Sequence, residues 1–360
     1  MLSVLANRTY RHLFMAQVVA LIGTGLATVA LGLLAYDIAG ADAGAVLGTA
    51  MAIKMVAYIG VAPVVGAYAN RLPRRAFLVA MDVIRALVVL ALPFVDQIWQ
   101  IYVLIFVLQS ASAGFTPTFQ ATIPDVLPDE KDYTNALSLS RLAYDMESLT
   151  SPMLAAALLT VINFHWLFSG TAIGFACSAL LVLATTLPRS NARKSGGGIY
   201  DNTTRGGRLY LRTPRLRGLL AVTLAAAAAS AMVIVNTPVL VRSALGLGQS
   251  SMAITLAAFG GGSMLAALLL PRVLGRFSDR SVMLSAASAM TIGLAVLALS
   301  WSGHASPDYW GVILAGWFVL GVAYAASITP GGRLLRRSSA EEDRPALFAA
   351  QFALTHVCWL

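Results

Sequence analysis

Residues 13–36 read LFMAQVVALIGTGLATVALGLLAY, an apolar stretch without a charged side chain. A helix needs about 20 mostly apolar residues to cross the roughly 30 Å hydrocarbon core of a bilayer, and this stretch is long enough. Comparable stretches follow at residues 45–69, 76–95, 99–119, 135–160, 166–187, 217–241, 250–271, 281–301 and 308–329. An eleventh begins near Pro345 and reaches the last residue, Leu360.

Only α-helices and closed barrels satisfy their backbone hydrogen bonds in lipid, and these stretches are too long for barrel strands. The composition agrees, because 58% of the 360 residues are hydrophobic and 11% are charged, whereas soluble domains carry about 25% charged residues. A soluble chain of this size could not cover so much apolar surface. We therefore predict an all-α, multi-pass membrane protein whose solvent is the lipid bilayer.

The net charge of +9 does not indicate a nucleic-acid partner, because the basic residues lie between the apolar stretches rather than on one face. Cys177 and Cys358 lie in apolar stretches without a CxxC pattern, so we interpret them as packing residues. The sequence has no phosphate-binding loop and no nucleophile–base arrangement. It therefore predicts neither an enzyme nor a cofactor.

Positive charge is concentrated in every second loop, which is the pattern that sets the orientation of membrane proteins. The loops around residues 37–42, 95–97, 163–165 and 303–308 are nearly free of Lys and Arg, with Arg242 as an exception on that side. The basic loops include Arg8 and Arg11, Arg71 to Arg75, Arg272 to Arg280 and Arg333 to Arg344. We predict a cytoplasmic N-terminus in the inner membrane of a bacterium.

The longest loop is also basic, and it contains Gly196-Gly197-Gly198 and Gly206-Gly207. This composition is typical of a flexible linker. We expect an N-terminal six-helix half at residues 1–188, a cytoplasmic linker at 189–216 and a C-terminal half at 217–360. A faint repeat between residues 64–85 and 271–288 supports this division.

The loop between the second and third stretches reads GAYANRLPRR over residues 66–75. It resembles the G-x-x-x-D-R-x-G-R-R/K pattern of the major facilitator superfamily, where the loop acts as a cytoplasmic latch. Pro117–Asp125, Asn135–Ser138 and Ser151-Pro152 are similar to the drug- and metal-exporter branch of that superfamily. The resemblance covers essentially the whole chain, and it implies a major facilitator fold of two halves that rock around a midplane site.

The resemblance assigns the latch to seven residues, namely Gly66, Asn70, Arg71, Arg74, Arg75, Asp82 and Arg85. Asn70 replaces the usual aspartate and cannot be an anion, so Asp82 is our candidate for the missing charge. Residues 138–158 resemble the nickel-resistance exporters, although the chain lacks their histidine-rich tail. Superfamily members have twelve spans, so we expect a sequence truncated within span 11; a non-functional truncated fragment is one alternative.

Three ionisable residues lie deep in predicted spans, where such groups are costly and commonly functional. Lys54 is about 14 Å from the start of span two at 1.5 Å per residue, and Asp145 and Glu147 reach a similar depth in span five. We predict these three as candidates for proton or cation coupling. Alternatively, Arg141 and Asp145 pair at i, i+4, and Glu147 forms a structural bridge with Lys54.

Polar residues also occur on the spans that border the cavity in the superfamily, namely Gln17, Thr24, Thr28, Gln109, Asn236 and Tyr324. Hydrogen bonding between helices is the alternative role for each of them. The four histidines, His12, His165, His304 and His356, are scattered without chelate spacing, so we predict no metal site.

The sequence thus predicts a monomeric secondary transporter that exports a small solute by proton-coupled alternating access. Export of nickel or another divalent metal is the narrower alternative. A membrane enzyme or receptor of similar topology is the competing class. It would need clustered catalytic residues or an ordered cytoplasmic domain, and neither is visible in the sequence.

Overall fold

The computed structural model describes residues 1–68, 73–188, 198–301 and 309–359. Its helices are α1 (Arg8–Ala39), α2 (Ala43–Tyr68), α3 (Arg74–Ala91), α4 (Ile98–Val126), α5 (Glu130–Leu159), α6 (His165–Leu183), α7 (Ile199–Arg212), α8 (Pro214–Pro238), α9 (Gln249–Val273), α10 (Asp279–Ser300), α11 (Trp310–Ile328), α12 (Gly331–Arg337) and α13 (Arg344–Cys358). Short turns of other helix types join several of them. The prediction of an all-α protein is confirmed.

Each apolar stretch predicted as a span corresponds to one long helix, and α5 is the least apolar of them. By length and hydropathy, eight segments of the described chain could cross a membrane, and the first, Arg8–Tyr68, contains both α1 and α2. The segment α5 is not among the eight because charged and hydroxyl side chains lower its hydropathy. It has 30 residues, which is about 45 Å of helix, so we treat it as a span with a polar face.

Side-chain caps define where several helices begin. The Asn7 side chain accepts a hydrogen bond from the Tyr10 backbone N–H at the start of α1. The Asp129 carboxylate accepts from the backbone N–H groups of Lys131 and Asp132 at the start of α5. Such caps satisfy donors that have no partner within the helix. They fix the point at which the chain turns back into the bundle.

The segment expected to be a flexible linker contains α7, an amphipathic helix. The Tyr210 hydroxyl on α7 donates to Gln351 Oε1 on α13 at 2.5 Å, and burial raises the pKa of Tyr210. On its exposed face, the hydrogen bond and the positive charge of Arg208 lower the pKa of Asp201. Packing against α13 stabilises this helix. The glycines of the segment had instead suggested a flexible linker.

The helices pack in two groups, which meet mainly through α2, α4, α5, α9 and α13. In the N-terminal group, α1 packs on α5 and α6, and α3 packs on α4 and α6. In the C-terminal group, α11 packs on α8, α9 and α10. The groups meet where α13 contacts α2 and α4, and where α5 contacts α9. The division of the chain at residues 189–216 stays a prediction.

Two glycines bring α9 and α11 into close contact. A Cβ atom on Gly262 would lie 2.0 Å from the Phe318 carbonyl oxygen, and one on Gly321 would lie 1.9 Å from the Phe259 carbonyl oxygen. Both distances are far below van der Waals contact. Small residues of this kind allow helix backbones to approach closely, which is the main source of packing energy within a bilayer.

Candidate functional site

The centre of α5 carries an ion pair that also binds the other helix group. Arg141 pairs with Asp145 one helical turn away, and its Nε lies 3.1 Å from Asp145 Oδ2. The Ser263 hydroxyl on α9 donates to the same Oδ2 at 2.6 Å, and the Arg141 guanidinium lies 4.9 Å from the centre of the Tyr324 ring on α11. The i, i+4 pair predicted from the sequence is therefore formed. The pair contacts both α9 and α11, so it forms part of a junction between α5, α9 and α11.

Glu147 lies about 200° around α5 from Asp145, at roughly 100° per residue, and it faces a different helix. Its carboxylate lies against Gly25 of α1, where an added Cβ would be 2.6 Å from Glu147 Oε1. Glu147 makes no ion pair within 4 Å among the described residues, so the structural bridge to Lys54 is not formed in this structure. The residue is half-buried in the middle of α5.

Lys54 belongs to an aromatic cluster between α2, α4 and α13. Its ammonium group lies 5.6 Å from the centre of the Tyr58 ring, and the Tyr58 hydroxyl donates to Gln109 Oε1 at 2.9 Å. The His356 ring stands edge-on to Tyr58 with 4.6 Å between the ring centres, and Phe352 packs against both rings. The cluster therefore joins the two helix groups.

The other polar residues predicted to line a cavity differ in their contacts. Gln17 on α1 is nearly buried and accepts a hydrogen bond from the Ser140 hydroxyl on α5 at 3.0 Å. Thr24, Thr28 and Asn236 donate to backbone carbonyls of their own helices. Of the predicted set, Gln17, Gln109 and Tyr324 thus make hydrogen bonds or ring contacts to side chains of another helix.

Asp82 and Arg85 form a buried pair inside the N-terminal group. Arg85 pairs with Asp82 one turn earlier in α3, and the Ser178 hydroxyl on α6 donates to Asp82 Oδ2 at 2.8 Å. The Arg85 guanidinium lies between the Phe115 and Phe175 rings, at 4.1 and 4.5 Å from their centres. We expected Asp82 to supply the charge that Asn70 lacks. It is instead paired with Arg85, about 12 Å along the helix from Arg74.

Asp125, at the end of α4, contacts Arg74 of the predicted latch. Arg74 Nη1 lies 2.5 Å from Asp125 Oδ2, and Arg344 at the start of α13 pairs with Oδ1. Both arginine side chains are less than one-tenth exposed. Asp125 therefore joins the N-terminal group, through Arg74, to the C-terminal group, through Arg344.

A second ion-pair cluster lies at the same end of the bundle. Arg333 on α12 contacts Glu130 Oε1 at 2.6 Å and Asp279 Oδ1 at 3.1 Å. Arg337 contacts Asp279 Oδ2 at 2.7 Å and also pairs with Glu130. Glu130 begins α5 and Asp279 begins α10, so this cluster also crosses between the groups. We call this side, which carries Arg74, Arg333, Arg336, Arg337 and Arg344, the arginine-rich end.

Two further residues of the predicted latch make contacts within the described chain. Gly66 faces Ala349 of α13, and an added Cβ would lie 2.4 Å from the Ala349 Cβ. Arg75 donates to the Thr185 carbonyl oxygen at 3.3 Å. Asn70 and Arg71 lie outside the described residues.

Within the described chain, no three His, Cys, Asp or Glu side chains converge as metal ligands would. Several residues that the structure brings into these clusters were not predicted from the sequence. Nothing in the local sequence around Ser263 and Tyr58 indicated their role, because their partners lie on distant helices. Asp279 lies in residues 271–288, the segment that the faint repeat relates to the predicted latch segment 64–85. This relation could have identified Asp279 as a candidate.

Sequence comparison places the chain among known proteins. The model of the family described as Major Facilitator Superfamily matches residues 13–261 and 219–358. The uncharacterized MFS-type transporter YfiS of Bacillus subtilis is 29% identical over 127 residues, which are 35% of this chain and 30% of that protein. Macrolide efflux protein A of Enterococcus faecalis is 23% identical over 157 residues, which are 41% of this chain and 48% of that protein. The matches thus span less than half the length of these curated relatives.

Solved structures share the fold across almost the whole chain. A bacterial homologue of the iron transporter ferroportin, in an outward-facing state, has a TM-score of 0.77 at 13% identity and covers 97% of this chain and 89% of its own. The proton:xylose symporter XylE has a TM-score of 0.73 at 15% identity, with coverages of 99% and 86%. At such low sequence identities, the structural similarity establishes the fold alone. With the family model matching nearly every residue from 13 to 358, the chain belongs to the Major Facilitator Superfamily, whose members are secondary transporters and not enzymes.

Proposed function

We propose that this chain exports a small solute from the bacterial cytoplasm, driven by protons that enter through the same pathway. The observation that carries the proposal is the pair of ion-pair clusters that join the two helix groups at the arginine-rich end. An alternating-access transporter must close one side of its central site while the other is open. Contacts built from exchangeable ion pairs can form and break in each cycle, whereas a continuous apolar core could not.

The arginine-rich end is the cytoplasmic end in this proposal. Its loops carry the excess of arginine that marks cytoplasmic loops in membrane proteins. The N-terminus then lies in the cytoplasm, and the structure corresponds to a state that is closed toward the cytoplasm. The outward-facing state of the ferroportin homologue, which has the same fold, is consistent with this assignment.

Glu147 is the proposed proton carrier. It lies near the middle of α5, it has no cationic partner within 4 Å among the described residues, and it contacts α1 at Gly25. Asp145, by contrast, is held by Arg141 and Ser263. We therefore assign Asp145 to the junction between the helix groups. Lys54, in its cluster with Tyr58 and His356, is the proposed positive counterpart that Glu147 meets in another state of the cycle.

The direction of transport is supported by the macrolide efflux proteins among the relatives. Their names describe export of a bulky organic compound, so an organic solute is our first candidate substrate. Divalent-metal export is the second candidate, and it rests on the resemblance of residues 138–158 to nickel-resistance exporters. The described residues offer no group of three metal ligands, so an organic solute is favoured.

The test is efflux from proteoliposomes that contain the full chain, with an imposed pH gradient. A macrolide, a cationic dye and Ni²⁺ are compared as substrates. We expect pH-driven efflux of an organic substrate, and we expect Glu147→Gln to abolish the pH dependence while substrate–substrate exchange persists, because exchange needs no net proton transfer. Glu341→Gln, at an exposed position of the same chain, is the matched control.

Three outcomes would each contradict a part of the proposal. Efflux that is independent of the pH gradient in the unmodified protein would remove proton coupling. An unchanged pH-driven rate in Glu147→Gln would remove that residue from the mechanism. Selective efflux of Ni²⁺ would replace the organic substrate by the metal alternative.

A further inference from the structure

A cavity of about 230 Å³ lies at the arginine-rich end, between the two helix groups. Its lining consists of Glu130 and Tyr133 from α5, Arg333, Arg336 and Arg337 from α12, and Arg344 from α13. A buried water needs at least about 10–15 Å³ of such space. The cavity is therefore large enough for a tetrahedral oxyanion together with several water molecules.

The lining carries more positive charge than its carboxylates neutralise. Four arginines face a single lining carboxylate, Glu130. Arg333 and Arg337 pair with Glu130 and also with Asp279, and Arg344 pairs with Asp125. Arg336 has no carboxylate within 4 Å in the described part of the chain; it donates to the Pro128 carbonyl oxygen and lies 5.3 Å from the centre of the Tyr133 ring.

Polar atoms at the cavity also lack partners. The Tyr133 side chain is fully buried, and its hydroxyl has no hydrogen-bond partner among the described residues. The same is true of the buried Nη1 of Arg336 and Nε of Arg344. A buried donor without a partner costs about 1–3 kcal/mol, and more when it is charged. Three such donors around one cavity are suited to binding a molecule with several hydrogen-bond acceptors.

We propose that this cavity binds a phosphate-bearing anion. Arginine guanidinium groups match phosphate oxygens with two parallel hydrogen bonds, and the Tyr133 hydroxyl adds a neutral donor. The anion would bridge Tyr133 of the N-terminal group and Arg336 of the C-terminal group, so its binding favours the conformation in which the arginine-rich end is closed. The site lies apart from Glu147, and the inference does not depend on the transported substrate.

The first experimental arm uses inorganic phosphate and the full chain in phosphatidylcholine nanodiscs. Calorimetric titration should give saturable binding that chloride at equal ionic strength does not reproduce. Arg336→Gln removes a charged donor and should weaken binding about tenfold or more, and Tyr133→Phe should weaken it about fivefold. Arg276→Gln, at an exposed position without an ion pair within 4 Å among the described residues, is the matched control and should bind like the unmodified protein.

The second arm replaces part of the phosphatidylcholine by phosphatidylglycerol. If a lipid headgroup is the source of the phosphate, phosphatidylglycerol raises the melting temperature of the unmodified protein but not of Arg336→Gln, and added phosphate has no further effect. If free phosphate is the source, only the first arm responds. The proposal is overturned if neither phosphate binding nor the lipid-dependent rise in melting temperature depends on Arg336. It is also overturned if Arg276→Gln weakens either effect as much as Arg336→Gln does. Size-exclusion profiles establish that each variant is folded.

Discussion

At the scale of single residues, the junction at Asp145 connects a local pair to a distant helix. The Arg141–Asp145 pair is set by the sequence spacing of one helical turn. Ser263 adds a hydrogen bond from α9, 118 residues away in the chain. The side chains of Arg141 and Asp145 are only 18% and 5% exposed, so their charges are shielded from water and depend on each other.

Removal of the Asp145 charge should therefore cost more than removal of the Ser263 hydroxyl. Asp145→Asn leaves Arg141 without its counter-charge, and losing one partner of a buried pair costs about 3–5 kcal/mol. Ser263→Ala removes one hydrogen bond to a charged group, which is worth about 1.5–3 kcal/mol. Thermal unfolding of the purified protein measures both. Equal loss of stability in the two variants would contradict the account of this junction.

The same residues show why sequence spacing alone could not describe the site. The pair at i, i+4 was predicted from helix geometry, and the same geometry makes Asp145 and Glu147 face different helices. The contacts of Asp125 with Arg344 and of Tyr58 with His356 join residues more than 200 positions apart. Nothing in the local sequence encodes such contacts. They arise only when α13 packs against α2 and α4.

At the scale of the helices, the close contact of α9 and α11 depends on the absence of a Cβ at Gly262 and Gly321. The obstructing atoms are backbone carbonyl oxygens, which cannot rotate away as a side chain would. An added methyl group must therefore push the helices apart along their whole contact. Burial alone would not have identified these two positions among the glycines of the spans.

Gly321→Ala should lower the melting temperature, because overpacking of this kind typically costs about 1–3 kcal/mol. Gly311→Ala, ten positions earlier on the same helix, is the matched control, because nothing lies within 4 Å of its added Cβ. We expect the control to be neutral or slightly stabilising, since alanine is favoured over glycine within helices by roughly 0.8–1.0 kcal/mol. If both variants melt at the same temperature, the close contact does not limit stability.

The helices themselves were largely predictable, and the exceptions have physical reasons. Apolar length identifies α1–α4, α6 and α8–α11 because lipid requires about 20 apolar residues per span. The chain over Ile199–Arg212 gave no such signal. Its glycines and charges suggested a flexible linker, but packing of Tyr210 against α13 stabilises a helix there. Tertiary contacts override weak local propensity in such segments.

At the scale of the whole molecule, two ion-pair clusters join the helix groups at one end of the bundle. Asp125 links Arg74 to Arg344, and Arg333 with Arg337 links Glu130 to Asp279. Each cluster contains side chains from both helix groups. The helix groups therefore cannot separate at this end without breaking the ion pairs of both clusters. The alternating-access mechanism that we propose requires that separation in every cycle.

The most direct test of this central claim measures a distance across the arginine-rich end. Spin labels are placed at Lys131→Cys on α5 and Ala340→Cys beyond α12, both exposed positions, with Cys177 and Cys358 replaced by serine. Double electron–electron resonance spectroscopy on the purified protein in detergent or nanodiscs then measures the distribution of distances between the two spin labels. The account predicts one short distance in the otherwise unmodified protein. It predicts a second, longer population in Asp125→Asn/Glu130→Gln, because these two carboxylates form the ion pairs that cross between the helix groups and neutralising both releases them. An unchanged single distance in that double variant would contradict the claim that these clusters hold the end closed.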